Sequence, residues 1–153
     1  YFNIFFCAIS YNKMFATFNL ENFPFVNVKF ANGVKDDEDF DNFLKQWVAL
    51  NGQETNYSLI FDTTNVGIMN PKYAYRAASF IKELKNAEKT FIDQTIIIVN
   101  HKYIRYLLDL VLNFQKPSAP VYIVDKHDIA DNLYKKLKNK EEINLENVTV
   151  VYP

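Results

Sequence analysis

The stretch Tyr57–Leu84, YSLIFDTTNVGIMNPKYAYRAASFIKEL, decides the fold. It begins as an apolar run that ends on Asp62, continues as a short polar loop, and becomes a helix after Asn70-Pro71. Asparagine is a good N-cap residue, and proline suits the first helical position, where its missing N–H costs nothing. A strand, a loop and a helix in this order are typical of α/β proteins, in which ligand and partner sites collect beyond the C-terminal ends of strands.

Two further strand–helix units follow this stretch. Gln94–Asn100 is a nearly continuous β-branched run, which predicts a strand that is covered on both faces, as in a mainly parallel sheet. A helix is predicted over His101–Phe114, a strand over Val121–Val124 and a last helix over Lys126–Lys140. Val148–Tyr152 predicts a final strand at the edge of the sheet.

Two strands and a helix are predicted before Tyr57. Met14–Leu20 alternates roughly and Phe25–Phe30 alternates clearly, which predicts two strands that form a hairpin. The acidic cluster Asp36–Asp39 predicts the first turn of a helix, where negative charge suits the positive end of the helix dipole. It lacks the spacing of a calcium loop. The helix is expected to end at Asn51-Gly52, which tolerates a left-handed cap.

The predicted order is therefore β-β-α-β-α-β-α-β-α-(β). It indicates a single α/β domain over residues 14–153, with a mixed, mainly parallel sheet of five to six strands and four helices. Residues 1–13 precede Met14, the first methionine, and we interpret them as a tail or a non-native upstream segment. An extra strand and a targeting segment are the alternatives, although YFNIFFCAIS lacks the basic region of a signal peptide.

Composition limits the classes of function. Apolar residues make up 49% of the 153 residues and charged residues 23%, which is typical of a globular protein. The formal net charge of −1 gives the whole chain no attraction to nucleic acid or to an anionic membrane. Cys7 is the only cysteine, which excludes an intramolecular disulfide and a cysteine-based metal site and favours a cytoplasmic protein. Abundant Phe, Tyr, Asn, Ile and Lys, whose codons are A/T-rich, indicate an A/T-rich genome.

The order of elements, with the strand–Asp–loop–helix unit third, resembles the STAS domain, the family of the bacterial anti-sigma factor antagonists. The similarity covers Met14 to Leu137. Asp62 is similar to the Asp that ends a strand in that family, and Val66 with Ile68-Met69 resemble the apolar anchors of its loop. TIIIVNHKYIRYLLDLVL and VYIVDKHDIADNLYKKL are similar to the last two strand–helix units of the family.

This resemblance implies a non-enzymatic domain that binds a protein partner through the loop and helix after Asp62. The regulatory serine of the family would lie ten residues after Asp62, where this chain has Lys72, so we expect the phosphorylation switch to be absent. We interpret Thr63 and Thr64 as residues that cap or line the loop, in preference to a displaced phosphorylation site. The expected partner-binding edge consists of Asp62, Asn70, Lys72, Tyr73 and Arg76.

A second resemblance gives the alternative function. QTIIIVNHKYIRYLLDLVLNF is similar to a strand–helix unit of the Sec14-like (CRAL-TRIO) lipid-binding domain, although the longer sequence and preceding helical region of that family are missing. The resemblance implies an apolar ligand held between the sheet and the helices. A fully packed core between the sheet and the helices would argue against lipid binding.

Charged residues after the last two central strands are the remaining candidates. His101, Lys102 and Arg105 lie at a predicted helix N-terminus and are weak candidates for an anion site, with a solvated helix face as the favoured interpretation. Asp125–Asp128 contains His127, but no nucleophile motif accompanies it, and Asp125 or Asp128 is expected to cap the last helix. No glycine-rich phosphate loop is present. We therefore expect no catalytic residues, no cofactor, no metal, no nucleic-acid partner and no membrane span.

Overall fold

The computed structural model describes residues 14–153, so the tail or upstream segment expected for residues 1–13 lies outside the described residues. Six strands form one sheet: β1 (Ala16–Asn19), β2 (Phe25–Phe30), β3 (Tyr57–Asp62), β4 (Ile92–Ile98), β5 (Val121–Val124) and β6 (Thr149–Val151). Four helices connect them: α1 (Asp37–Asn51), α2 (Lys72–Asn86), α3 (Lys102–Phe114) and α4 (His127–Lys138). The predicted order of elements is confirmed, and β4 begins and ends two residues earlier than expected.

The strands lie in the sheet in the order of the chain, from β1 to β6. β1 pairs antiparallel with β2, which confirms the predicted hairpin, and β2, β3, β4 and β5 pair in parallel. β6 pairs antiparallel with β5 at the far edge. The sheet is therefore mixed and mainly parallel, as the sequence predicts.

The two faces of the sheet are covered unequally. Right-handed crossovers between neighbouring parallel strands place successive helices on the same face. In agreement, α1, α2 and α3 contribute to one large core, which includes Trp47, Phe80 and Leu107. The helix α4 covers the opposite face, where Leu133 and its neighbours pack on a smaller cluster that includes Ile96. Burial on both faces explains the continuous β-branched run of β4.

Aromatic rings fill the large core between α1 and the sheet. Phe43 packs edge-to-face on Phe30 at 5.3 Å between ring centroids, and Trp47 packs edge-to-face on Phe61 at 5.4 Å. The indole Nε1 of Trp47 donates a hydrogen bond of 3.1 Å to the hydroxyl of Tyr57, which is fully buried. Burial raises the pKa of Tyr57 to about 12.

The ends of α1 agree only in part with the sequence. Asp36 accepts a hydrogen bond of 2.8 Å from the backbone N–H of Asp39, which confirms an acidic first turn. Asp39 is itself buried and accepts from the backbone N–H groups of Phe15 and Lys35. The left-handed cap expected at Asn51-Gly52 is wrong: Gly52 has a φ of −68°, in the right-handed region. The left-handed conformation follows two residues later, at Glu54, with a φ of 55°.

The starts of α2 and α4 differ in how they are capped. The helix α2 begins at Lys72 with Pro71 at its cap position, one residue later than predicted, and the side-chain oxygen of Asn70 accepts a hydrogen bond of 3.0 Å from the backbone N–H of Lys72. The capping role expected for Asp125 or Asp128 is wrong. Lys126 occupies the cap position of α4 without a side-chain bond, and Asp128 accepts from the N–H of its own neighbour Ile129.

Candidate functional site

The predicted partner-binding edge lies where the start of α2 meets the start of α1. The Nζ of Lys72 lies 2.9 Å from an Asp37 carboxylate oxygen, which also accepts a hydrogen bond of 3.0 Å from the Tyr73 hydroxyl. The hydrogen bond from Lys72 holds the pKa of Asp37 below its usual range, and the same bond raises the pKa of Lys72. Arg76 pairs with Asp41 of α1.

This network uses most of the predicted edge for contacts within the protein. The ring of Tyr73 is buried and packs on Phe40 at 4.8 Å, so only its hydroxyl reaches the charged residues. The guanidinium of Arg76 lies over the ring of Phe40 at 5.0 Å. Tyr75 is the exposed tyrosine of α2. Lys72, Tyr73 and Arg76 thus join α1 to α2, and Asp62 lies at a separate place on the sheet edge.

The weak anion-site candidates lie at the start of α3 as expected. His101 occupies the cap position without a side-chain capping bond, and Lys102 is exposed on the first turn. The Nε of Arg105 lies 3.1 Å from a carboxylate oxygen of Asp109, one turn further along the helix. This pairing lowers the positive charge that Arg105 offers to an anion. His101, Lys102 and Arg105 therefore have the character of a solvated helix face.

Asp62 and His127 meet at the C-terminal edge of the sheet, although they are 65 residues apart in the chain. The Nε2 of His127 lies 2.9 Å from Oδ2 of Asp62. The other oxygen, Oδ1, accepts from the Thr64 hydroxyl at 2.6 Å and from the Thr64 backbone N–H at 3.0 Å. Nothing in the sequence links Asp62 to His127, and the order of β3, β4 and β5 in the sheet brings the two residues together.

The Asp62 carboxylate is held in its charged form. Partial burial raises its pKa, but the hydrogen bonds from Thr64 and His127 outweigh burial, and the pKa of Asp62 is lowered. The Thr63 hydroxyl donates to the backbone carbonyl of Ile98 at 2.6 Å. Both threonine hydroxyls therefore hold the loop after β3, which confirms their predicted role. The imidazole of His127 is 59% exposed and lies in an open position at the surface.

An apolar cavity of about 190 Å³ lies between the sheet and the helices of the large core. The sheet side of the cavity includes Ile97 of β4 and Val99, just after that strand. The helix side includes Ala77 of α2 and Leu107 and Val111 of α3. No charged residue is among its described lining residues. An apolar cavity of about 150 Å³ is known to stay dry and to bind benzene, so this volume is sufficient for a small apolar molecule.

Small side chains on α2 account for the cavity. Ala74 and Ala77 line it, where a leucine or a phenylalanine in a helix of this type would fill the space against the sheet. The sequence shows these alanines on the apolar face of the helix, but the face alone does not reveal the distance to the opposing wall. The sequence alone therefore leaves open whether a cavity is present.

Comparisons with known proteins give no relative for this chain: no protein-family model, no curated protein and no solved structure matches it. Within residues 14–153, no helix combines the length and the apolar character needed to cross a membrane. In the same residues, no three His, Cys, Asp or Glu side chains are grouped so that they hold a metal ion. The geometry of the chain must therefore support any proposal of function.

Proposed function

We propose that this protein is a non-enzymatic binding domain that holds a small apolar molecule in the cavity between the sheet and the helices α2 and α3. The cavity of about 190 Å³, with its apolar lining, is the observation that carries the proposal. Protein interiors are normally packed to the density of organic crystals, so an apolar space of this size is unusual, and an apolar molecule that fills it gains packing contacts. The resemblance to the Sec14-like lipid-binding domain supports the same function.

The position of the cavity also favours a ligand. It lies beside the central parallel strands β3, β4 and β5, which contribute Phe61, Ile97 and Val121 to its lining. The helices α2 and α3 line the other side of the cavity. They move apart more easily than the strands of the sheet, because no ladder of backbone hydrogen bonds joins them. An apolar molecule that enters between these helices removes its own surface from water without breaking backbone hydrogen bonds.

Filling the cavity tests the proposal. Ala77→Leu places a larger apolar group in the cavity, so we expect toluene to bind at least about tenfold more weakly to this variant, as measured by titration calorimetry. Ser79→Leu is the matched control, because Ser79 is exposed on the same helix and lies outside the cavity lining. Equal toluene affinity of the two variants would contradict binding in the cavity, and no toluene binding to the unchanged protein would contradict the function.

A second candidate is the binding of a protein partner by the loop after β3, as the STAS resemblance implies. One observation favours it: Ile68 is 91% exposed in this loop. The loop is fixed on both sides of Ile68, because Gly67 donates to the carbonyl of Asn32 at 2.7 Å and the Tyr103 hydroxyl donates to the carbonyl of Met69 at 2.5 Å. An exposed apolar side chain on a fixed loop loses little conformational freedom when a partner covers it, and its burial removes apolar surface from water.

The partner-binding candidate is tested by replacing the exposed residue. Ile68→Glu leaves the buried core unchanged, so we expect it to remove partners that are captured by the unchanged protein in extracts of the native host. Val48→Glu is the control, since Val48 is 52% exposed on α1, on a different element. If Ile68→Glu retains every partner that Val48→Glu retains, the loop after β3 is not the contact surface.

A further inference from the structure

Thr95 differs from the other buried polar residues of the chain. Three polar or charged side chains are buried among the described residues: Asp39, Ser58 and Thr95. Asp39 accepts from two backbone N–H groups, and the Ser58 hydroxyl accepts from Nε2 of Gln94 at 2.7 Å. In residues 14–153 we find no hydrogen bond for the Thr95 hydroxyl, although Thr95 is only 5% exposed. Thr95 instead lines the apolar cavity.

The neighbours of Thr95 in the sheet offer its hydroxyl no polar group. Thr95 lies in β4 between Leu59 of β3 and Val121 of β5, and its backbone N–H is already used in a bond to the carbonyl of Pro120 at 3.0 Å. Among the described residues, every fully buried side-chain nitrogen or oxygen atom has a hydrogen-bond partner. Because the Thr95 hydroxyl has none there, its oxygen is not fully buried, and part of its surface is accessible from the cavity that Thr95 lines. A buried hydroxyl without a partner is costly, and a bound ligand that supplies one recovers that cost.

A second hydroxyl among the lining residues belongs to a segment that neighbours Thr95. Ser118 also lines it, in the loop that leads into β5, two residues before the Pro120 that bonds to Thr95. The Thr63 hydroxyl, by contrast, is already donated to Ile98 near the other end of the strands. The lining of the cavity is thus mainly apolar, with one hydroxyl at Thr95 in the middle of β4 and one at Ser118 in the loop before β5.

We propose that the ligand is a small apolar molecule with one neutral hydrogen-bonding group, an alcohol or a carbonyl, which bonds to Thr95 and lies near Ser118. This inference rests on the proposed function. A carboxylate or an ammonium group is excluded from the same position, because the described lining offers no charged side chain to pair with it. Burying an unpaired charge costs far more than burying a hydroxyl that is hydrogen-bonded.

Two ligands of equal shape test the inference. Benzyl alcohol and ethylbenzene differ in a hydroxyl against a methyl group, and Thr95→Val exchanges the protein hydroxyl for a methyl group of equal volume. We expect Thr95→Val to weaken benzyl alcohol about tenfold in titration calorimetry and to leave ethylbenzene unchanged or slightly tighter. Ser118→Ala, in a loop, is the second variant and is expected to weaken benzyl alcohol by a smaller factor. Circular dichroism checks that both variants fold.

Failure of the inference and failure of the proposed function give different results. If ethylbenzene binds to the unchanged protein and neither variant alters benzyl alcohol, the polar end is wrong and the apolar site stands. If neither molecule binds to the unchanged protein, both proposals are wrong. Phenylacetate, which is an anion at pH 7, is expected not to bind, and binding as tight as that of benzyl alcohol would overturn the restriction to neutral groups.

Discussion

The Nε2 of His127 lies 2.9 Å from Oδ2 of Asp62 and so joins the first turn of α4 to the C-terminal end of β3. Both elements contribute to the smaller core, β3 through Ile60 and α4 through Leu133. The contact therefore fixes the start of α4 over the edge of the sheet. It also gives the exposed imidazole a defined orientation, which a solvated histidine on a free helix would lack.

Asp62→Asn is expected to lower the free energy of unfolding by about 1 kcal/mol, since it removes the charge that accepts hydrogen bonds from Thr64 and His127. Because the imidazole of His127 is exposed to solvent, the loss of unfolding free energy is expected at the low end of the range for hydrogen bonds to charged groups. Urea unfolding measures the change. Asp125→Asn, at an exposed position of the same sheet edge, is the control and is expected to alter stability by much less.

Acid reduces the same contribution. The pKa of Asp62 is lowered in the folded protein, so its stabilisation is complete above the pKa of an unfolded aspartate, about 3.9. The contribution is lost as pH falls below that value and through the lower pKa of the folded state. We expect the stability difference between the unchanged protein and Asp62→Asn to shrink as the pH falls from about 4 toward 2. A difference that grows in acid would show that the carboxylate is not stabilised by its partners.

Tyr57→Phe is expected to cost about 1 to 2 kcal/mol, because it leaves the indole N–H of Trp47 without its acceptor in the core. The ring itself is retained, so the apolar packing of the core changes little. Thermal or urea unfolding measures the loss. Tyr106→Phe is the matched control at an exposed tyrosine of α3, and an equal effect of the two substitutions would contradict a role for the buried hydrogen bond.

Alkaline titration reports on the same hydroxyl. Burial raises the pKa of Tyr57 to about 12, so we expect tyrosinate absorbance to include a group that ionises well after the exposed tyrosines. Burial also raises the pKa values of Tyr73 and Tyr122, so the comparison with Tyr57→Phe identifies the contribution of Tyr57. The raised pKa disfavours the ionised form in the folded protein. Stability is therefore unaffected below about pH 10 and falls above it, where the unfolded chain ionises first. The late-ionising group is expected to be missing from Tyr57→Phe.

Arg76→Ala is expected to lower stability by about 1 kcal/mol. The guanidinium joins α1 and α2 through Asp41 and lies over the ring of Phe40. Lys72→Ala removes a more exposed pair and is expected to have a smaller effect, which added salt further reduces. Salt titrations of both variants separate charge from ring packing. If Arg76→Ala has no effect at any salt concentration, the junction between α1 and α2 does not depend on this residue.

The fold was predictable because its signals are local. The β-branched run before Asn100 and the apolar stripe of α1 each indicate an element without reference to the rest of the chain. Fine details of the helix ends were less predictable. Gly52 was expected in a left-handed cap conformation. Its backbone N–H instead still bonds to the carbonyl of Val48, as in a helix, and the left-handed conformation occurs at Glu54.

The candidate site depends on distances that a sequence does not contain. Asp62 and His127 are brought together only by the order of three strands, and neither residue signals the other. Ala77 identifies an apolar helix face, but the cavity beneath it depends on how far the helix stands from Ile97. Thr95 was unremarkable within an apolar strand, and its importance comes from the lack of a polar neighbour on either side.

The sequential order of the strands has a consequence for how the chain assembles during synthesis. Each strand from β2 to β6 pairs with the strand made just before it, so every new strand finds its partner already outside the ribosome. Pairings between neighbours in the chain also shorten the loops that must close, which favours rapid folding. The face beneath α4 is the exception. Ile60, Ile96 and Tyr122 stay uncovered until that helix is made, so the nascent chain is most exposed to aggregation just before its last helix emerges.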